Sequence, residues 1–489
     1  MARPKRGDAL ALSIDDLAFG GEGVGRADGY VVFVPGGVPG DRLRVRLEQA
    51  RSRYGRGAIE SFEEPSPHRV QPPCPYFGRC GGCRLQHVAY PAQLALKAKQ
   101  VADVLERVGG LAGFEQRPII GAPEIYGYRN KMEFTIAPAP RSRASTAARP
   151  GQEAALSPVF AGAADASSER DARGAIVVGL HEADRYDSVL DVERCLLQSD
   201  AMNALLDEAR GFFVEQGLSA YDQAAGDGLL RFLMLREGRR TGETMANVVT
   251  TGPAVSDLAP LAPRLRARVP RTSSVVMNVN PRKASVTVGV EEHLLGGRDH
   301  IREEIGGLGF QISANSFFQT NPVQAERLFA LVLESTGLAG GETVIDLYSG
   351  TGAISLLLAR RCRWVYGIEV AQAAIDDAAL NAAANGIANC TFLAGEVRFV
   401  LPSLVASGVS ADLVVADPPR AGFHPKALQV LIRLAPSRIV YVSCNPATLA
   451  RDVGELVRGG YRLEWVQPVD MFPHTPHIEA VARLERVRS

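Results

Sequence analysis

The chain has 489 residues, with 54 Lys plus Arg against 54 Asp plus Glu. That length exceeds one compact core and predicts about two to four domains, while zero net charge excludes a globally basic coat but not a basic face on one domain. Apolar content of 46% and charged content of 22% are those of a soluble globular protein.

Residues 1–63 have strand grammar. YVVFVPG and RLRVRL flank a Gly/Pro turn, GGVPGD. Arg42, Arg44 and Arg46 alternate with Leu43, Val45 and Leu47, so a period of two puts the arginines on one face. Arg51, Arg53 and Arg56 follow, with Tyr54 among them. The pattern predicts a small barrel of the OB kind with a basic, oligonucleotide-binding face. The competing reading is an edge strand guarded by charge. MARPKRGDAL lacks an apolar signal core, and no run of about 18 uncharged apolar residues occurs, so neither export nor a membrane span is predicted and the expected location is cytoplasmic.

Residues 64–310 are expected to form a central α+β domain. LLRFLMLRE, TMANVVTT and SSVVMNVN read as strands. Residues 137–173 are rich in Ala, Arg, Ser and Pro and interrupt a strand pair, YRNKMEFTIA and GAIVVGLHEAD, so they read as a disordered insertion inside a hairpin. Seven cysteines, three of them in CPYFGRCGGC, predict metal or catalytic use in a reduced compartment rather than a secreted disulfide framework. Cys74, Cys80 and Cys83 are spaced C-x5-C-x2-C, and Cys195 is the one plausible fourth ligand, because Cys362, Cys390 and Cys444 fall in the C-terminal α/β pattern. Four thiolates suit an iron–sulfur cluster or zinc. The single C-x2-C unit favours the cluster over zinc or metal-free thiols. Arg84, Gln86 and His87, just after the cluster, read equally as RNA-facing or solvated.

From residue 311 to 489 the pattern becomes α/β. ETVIDLYSGTG, WVYGIE, CTFLAGE, DLVVADPPR and RIVYVSC read as strands and alternate with helices such as AISLLLARR and IDDAALNAAANG. Near-continuous apolar strands predict a parallel, doubly wound, Rossmann-like sheet with ligands at the strand carboxyl ends. Gly350 and Gly352 permit close backbone approach there, Glu369 stands about 20 residues on to meet ribose hydroxyls, and Asp417 ends the fourth strand. The turn lacks a full G-x-G-x-x-G, so S-adenosylmethionine is favoured over NAD. Cys444 ends the fifth strand before Asn445-Pro446, where it reads either as a small core hydrophobe or as a nucleophile.

Together CPYFGRCGGC, DLYSGTG, GIE, DPPR, VSCNPATLARD and DMFPHTPHIEAV closely resemble the S-adenosylmethionine-dependent RNA uracil-5-methyltransferases, over nearly the whole chain. The closest likeness is to the branch with a TRAM barrel and a 4Fe–4S cluster that methylates large-subunit (23S) ribosomal RNA. The resemblance implies Cys444 as nucleophile and Glu479 as general base. It implies Gln319, Tyr348, Glu369 and Asp417 as cofactor-binding positions, and Cys74, Cys80, Cys83 and Cys195 as cluster ligands. Ala353 and Ser349 depart from residues common in relatives. The expected enzyme is a monomer acting on RNA.

The chemistry explains those residue types. Carbon-5 of uracil becomes nucleophilic once a thiolate adds to carbon-6, and a carboxylate must then remove the carbon-5 proton. A helix starting near Ala447 is expected to lower the Cys444 pKa. The target base must be unstacked. Of Phe317 and Phe318, one is expected to stack on a base and one to enter the core, two core residues being the alternative. Arg129 and Asn130 are candidate RNA contacts, and Arg420 is expected to meet phosphate or a nearby carboxylate. His474 and His477 read as shaping their loop rather than tuning the base. Rival functions are a tRNA uracil-5-methyltransferase, an RNA cytosine-5-methyltransferase, or an inactive iron–sulfur RNA-binding protein.

Overall fold

A computed structural model describes residues 3–139, 176–283 and 287–487. Most of the 137–173 insertion therefore lies outside the described residues.

The N-terminal segment closes into a barrel of β1 (Ala9–Leu17), β2 (Gly23–Ala27), β3 (Tyr30–Val34), β4 (Arg42–Ala50) and β5 (Tyr54–Glu64), in the order β1-β2-β3-β5-β4. Along β4, Leu43, Val45 and Leu47 are buried and the intervening arginines exposed, as period-two alternation requires. The arginine face is not bare. Arg44 and Arg46 both reach Glu60 on β5, and Arg42 reaches Glu64. The sequence reading missed this neutralisation because the partners lie on another strand.

Helix α1 (Tyr90–Arg107) and the short β6 (Glu115–Gln116) follow. The central sheet contains β7 (Lys131–Pro138), β8 (Ile176–Glu182), β9 (Arg185–Asp191), β10 (Leu230–Glu237), β11 (Thr244–Thr250), β12 (Thr272–Val279) and β13 (Glu291–Gly297). Its order is β13-β12-β11-β10-β7-β8-β9. β7 and β8, which flank the insertion, pair antiparallel with Thr135 opposite Gly179. The α2 helix (Asp200–Glu215), capped by the Ser199 side chain, the single-turn α3 (Val255–Leu258) and α4 (Leu261–Arg268) lie between these strands, and α2 and α4 share the sheet's core. A two-stranded ribbon, β14 (His300–Ile305) and β15 (Leu308–Ser313), leads to α5 (Pro322–Thr336).

The C-terminal sheet begins with β16 (Thr343–Leu347), α6 (Ala353–Ala359), β17 (Trp364–Glu369), α7 (Gln372–Ala384) and β18 (Cys390–Ala394). It continues with α8 (Val397–Ala406), β19 (Leu413–Ala416), α9 (Pro425–Leu434), β20 (Arg438–Ser443) and α10 (Pro446–Arg458), and ends in β21 (Tyr461–Val469) and β22 (Glu479–Arg486). The order is β18-β17-β16-β19-β20-β22-β21-β6. β16 to β20 are parallel, and β22 pairs antiparallel with β20 and β21. Strand order reverses between β16 and β19, which opens a crevice at their carboxyl ends. β6 pairs with β21, Glu115 opposite Trp465, and α1 buries Val101 and Leu105 in the C-terminal core. Residues 90–116 thus pack with the C-terminal sheet, across the boundary expected at 310. Among the described residues no helix is long and apolar enough to cross a membrane.

Candidate active site

The crevice at the switch point is lined by Phe317, Phe318, Gln319, Tyr348 and Asp417, with Asp346 and the Ser349–Thr351 turn. β16 ends in backbone that turns sharply: Tyr348, Gly350 and Gly352 all have positive φ, at 65°, 53° and 84°. Gly352 starts α6, and a Cβ there would meet the Ala378 Cβ at 3.0 Å and the Phe392 ring at 3.2 Å. Glu369 lies beside the turn. One of its oxygens accepts from Gly350 N–H at 3.2 Å and the other from Ala371 N–H at 2.9 Å. Two polar atoms buried here, Asp346 Oδ1 and Ser349 Oγ, lack a partner within the protein, and buried polar groups seek one. An apolar slot with unspent polar atoms and an acidic floor fits a nucleoside bearing a positive charge. Burial pushes Asp417 up to about 7, and burial, with the charges of Asp417 and Glu369 adding, pushes Asp346 up to about 7 despite a 2.5 Å bond from Ser355 Oγ.

Next to this crevice stand Cys444, Glu479 and Arg420. Cys444 follows β20, and Asn445 caps α10 by accepting from Ala447 N–H at 3.1 Å. The Asn445 amide donates to the Arg420 carbonyl at 3.0 Å, which ties the Cys444 turn to the DPPR loop. Glu479 opens β22 rather than sitting in a loop, and is buried. Burial, reinforced by Asp417, holds it well above the usual carboxylate range, with Arg420 opposing. The Cys444 thiol is pushed up to about 11 by burial, then by Glu479 and Asp417, with Arg420 opposing. The lowered value expected from the helix N-terminus is not found, because desolvation and two carboxylates outweigh it. Arg420 donates to His477 Nδ1 at 2.7 Å, so that nitrogen carries no proton. Burial and Arg420 drive His477 down to about 4.

The two phenylalanines part company. Phe317 is 65% exposed at the crevice rim, and Phe318 is buried against Phe310 with centroids 5.7 Å apart. Asn130 N–H donates to the Thr320 carbonyl at 2.9 Å, so its backbone braces the loop bearing Gln319.

A second cavity, of about 600 Å³, is lined by Cys74, Cys80, Cys83 and Cys195, with Arg84, Gln86 and Arg129 at its wall. The Cys80 loop is pinned by Gly81 N–H to the His181 carbonyl (3.0 Å), and Cys195 N–H donates to Asn203 Oδ1 (2.9 Å). Gln86 Oε1 is buried here without a partner. Burial raises all four thiols, Cys83 to about 12 and Cys195 to about 11. Among the described residues no three His, Cys, Asp or Glu side chains converge on one ion position. The donor set is all thiol, a ligand type shared by iron–sulfur clusters and structural zinc.

Against known proteins, a family described as tRNA (Uracil-5-)-methyltransferase matches residues 294–487, and a TRAM domain matches residues 3–59. A protein of Halalkalibacterium halodurans named as an uncharacterized RNA methyltransferase is 40% identical over 480 residues, 98% of this chain and 97% of that one. A relative of the same name from Chlorobaculum tepidum is 40% identical over 490 residues, 99% and 98% of the two chains. The crystal structure of Pyrococcus abyssi tRNA (uracil-54, C5)-methyltransferase in complex with S-adenosyl-L-homocysteine covers 97% of this chain and 100% of its own, at 30% identity and a TM-score of 0.72. The chain belongs to the RNA uracil-5-methyltransferase family. The five-stranded barrel is its TRAM domain, and the family's methyl donor is S-adenosylmethionine.

Sequence reasoning brought Gln319, Tyr348, Asp417, Cys444 and Glu479 to one end of one sheet, and four cysteines to one cavity. It missed the residues behind them. Lys97, 2% exposed in its side chain, pairs with the fully buried Asp470 at 2.6 Å. Asp452 accepts from Tyr441 Oη and Phe423 N–H, both at 2.8 Å, beneath the DPPR loop. A lysine or aspartate in a helix reads as solvated, and no local pattern marks these as buried.

Proposed function

We propose that this methyltransferase transfers a methyl group from S-adenosylmethionine to carbon-5 of a specific uridine in large-subunit (23S) ribosomal RNA, through a covalent cysteine–uracil adduct. The observation that carries this reading is a thiol and a buried carboxyl at the same strand ends next to the crevice, close enough that the carboxyl's charge acts on the thiol and Asp417 and Arg420 act on both. Cys444 gives its thiol proton to solvent and adds as thiolate to carbon-6 of the uracil, and the electron pair of the 5,6 double bond moves into the ring as an enolate, nucleophilic at carbon-5. Carbon-5 takes the methyl group from the sulfonium. Glu479 removes the carbon-5 proton, the double bond re-forms, and Cys444 leaves as thiolate.

The high resting pKa of Cys444 fits this sequence. Burial, then Glu479 and Asp417, make the empty site disfavour a thiolate, and a bound sulfonium cation offsets the carboxylates' part of that potential. Arg420, in electrostatic reach of both groups, favours their charged forms. Gln319, Tyr348, Glu369 and Asp417 bind the methyl donor, and exposed Phe317 stacks on a base turned out of the RNA.

Cys74, Cys80, Cys83 and Cys195 would hold a 4Fe–4S cluster, which would order the loops around it. The functional units are 1–63 for RNA capture, 64–310 for the cluster and RNA, and 311–489 for methyl transfer. The protein acts as a cytoplasmic monomer. One observation favours transfer RNA as substrate instead: the solved relative is named a tRNA enzyme. Mapping 5-methyluridine in ribosomal and transfer RNA from cells with and without this protein separates the two. The mechanism is tested by incubating the protein with 5-fluorouridine-containing RNA and S-adenosylmethionine. A covalent tag on the peptide containing Cys444 is expected, and a tag elsewhere, or none, sinks the adduct.

A further inference from the structure

Tyr90, Gln93 and Lys97 lie at i, i+3 and i+7, along one face of α1. Gln93 and Lys97 are buried, and all three meet the segment that leads from β21 to Glu479. Tyr90 Oη donates to Asp470 Oδ2 at 2.8 Å. Lys97 Nζ donates to Asp470 Oδ1 at 2.6 Å and to the Phe472 carbonyl at 3.2 Å. Gln93 Oε1 accepts from His474 N–H at 3.0 Å, and its Nε2 lies 3.1 Å from His474 Nδ1. The same Nε2 donates to the carbonyls of Leu85 (3.0 Å) and Val88 (2.8 Å), in the segment that follows Cys83.

His474 is held in a conformation it would not choose. Its φ is 66°, in the left-handed region. Its ring stacks on Tyr126 at 4.4 Å between centroids, and its carbonyl accepts from both Arg84 N–H and Leu85 N–H at 2.9 Å. Tyr128 Oη donates to the neighbouring Pro473 carbonyl at 3.0 Å. A strained residue persists only where its surroundings over-determine it, and such residues gather at functional sites. Five residues on, with no other element between, stands Glu479.

We propose that Gln93 is a positioning residue for Glu479: through His474 it sets where the carboxyl stands and joins that setting to the loop of Cys83. The inference rests on the reading of Glu479 as the base. That step is the transfer of the carbon-5 proton to the Glu479 carboxylate, the C–H pair re-forming the 5,6 double bond and the carbon-6 pair leaving on Cys444 Sγ. A displacement of the base of about 1 Å slows it by about 100-fold, while methyl transfer, which precedes it, is untouched.

The test follows full-length, cluster-loaded protein with uridine RNA and S-adenosylmethionine, and reads steady turnover, the methylated protein–RNA adduct by mass, cofactor affinity, and hydrogen exchange over residues 472–479. Glu479→Gln is run alongside and is expected to accumulate methylated adduct. Gln93→Leu is expected to lose about 10- to 100-fold in turnover, to accumulate the same adduct, to keep its cofactor affinity within about twofold, and to exchange faster over 472–479. If Gln93→Leu does not fold, Tyr126→Leu, which removes the ring stacked on His474, carries the same expectation. Turnover at the wild-type rate, or a parallel fall of adduct and turnover, overturns the clamp. Absence of adduct in Glu479→Gln overturns instead the base assignment on which the clamp depends.

Discussion

Asp417 lines the crevice within electrostatic reach of Cys444 and Glu479, and burial holds its pKa at about 7 against an ordinary 3.8. A carboxyl raised on folding contributes full stability below its unfolded value and loses it as pH climbs towards the folded one. Asp417→Asn should therefore melt no higher than wild type at pH 4, and progressively higher between pH 4 and 7, in scans without cofactor, while methyl transfer is lost. The Cys444 thiol, raised to about 11, predicts slow alkylation by iodoacetamide at pH 7. In the Asp417→Asn, Glu479→Gln double variant the midpoint of alkylation rate against pH should fall, because both carboxylates are charged where the thiol titrates, and an unchanged midpoint would refute the electrostatic account. The identity of these residues was legible in DPPR, VSCNP and HIE. The direction of the thiol's shift was not, because the sequence shows the helix that lowers it and hides the two carboxylates that raise it.

At the scale of elements, the strand-to-helix turn after β16 depends on Gly352, whose φ of 84° strains any side chain and whose added Cβ would crowd Ala378 and Phe392. Gly352→Ala should cost about 1–3 kcal/mol, read as a lower urea midpoint at unchanged slope, with weaker S-adenosylmethionine binding. The alternating strands and helices from residue 343 onward were readable because a sheet covered on both faces demands near-continuous apolar strands. Helix α1 was not. Its buried stripe is Gln93, Lys97, Val101 and Leu105, half of it polar, and a pattern search for apolar periodicity passes over such a helix. Strand β22 was missed for a related reason: it begins on a buried acid.

Across the whole molecule, the barrel is anchored where Arg56 and Arg84 share Asp184 at 3.1 Å each, and where Lys99 meets Asp16 at 2.5 Å. On β4, Arg42, Arg44 and Arg46 already face glutamates, so Arg51 and Arg53 are expected to carry more of the phosphate contact. Measured by anisotropy from low to high salt, RNA affinity of the Arg51→Ala, Arg53→Ala variant should show a log–log slope flatter by about 1–2, whereas Arg42→Ala should change it less. By itself the sequence determined the parts: a small barrel with a row of arginines on one face, a thiol set, a parallel sheet with glycines and carboxylates at its strand ends, and a cysteine before a helix. Each follows from short-range rules of periodicity, spacing and turn chemistry. The tertiary structure alone decided that α1 and β6 join the C-terminal sheet, that the barrel's arginines find acid partners, and that Gln93, Lys97 and His474 are buried against one loop. Those outcomes turn on contacts between residues from 14 to 381 positions apart and on different elements, where desolvation and pairing, not local pattern, set the energy.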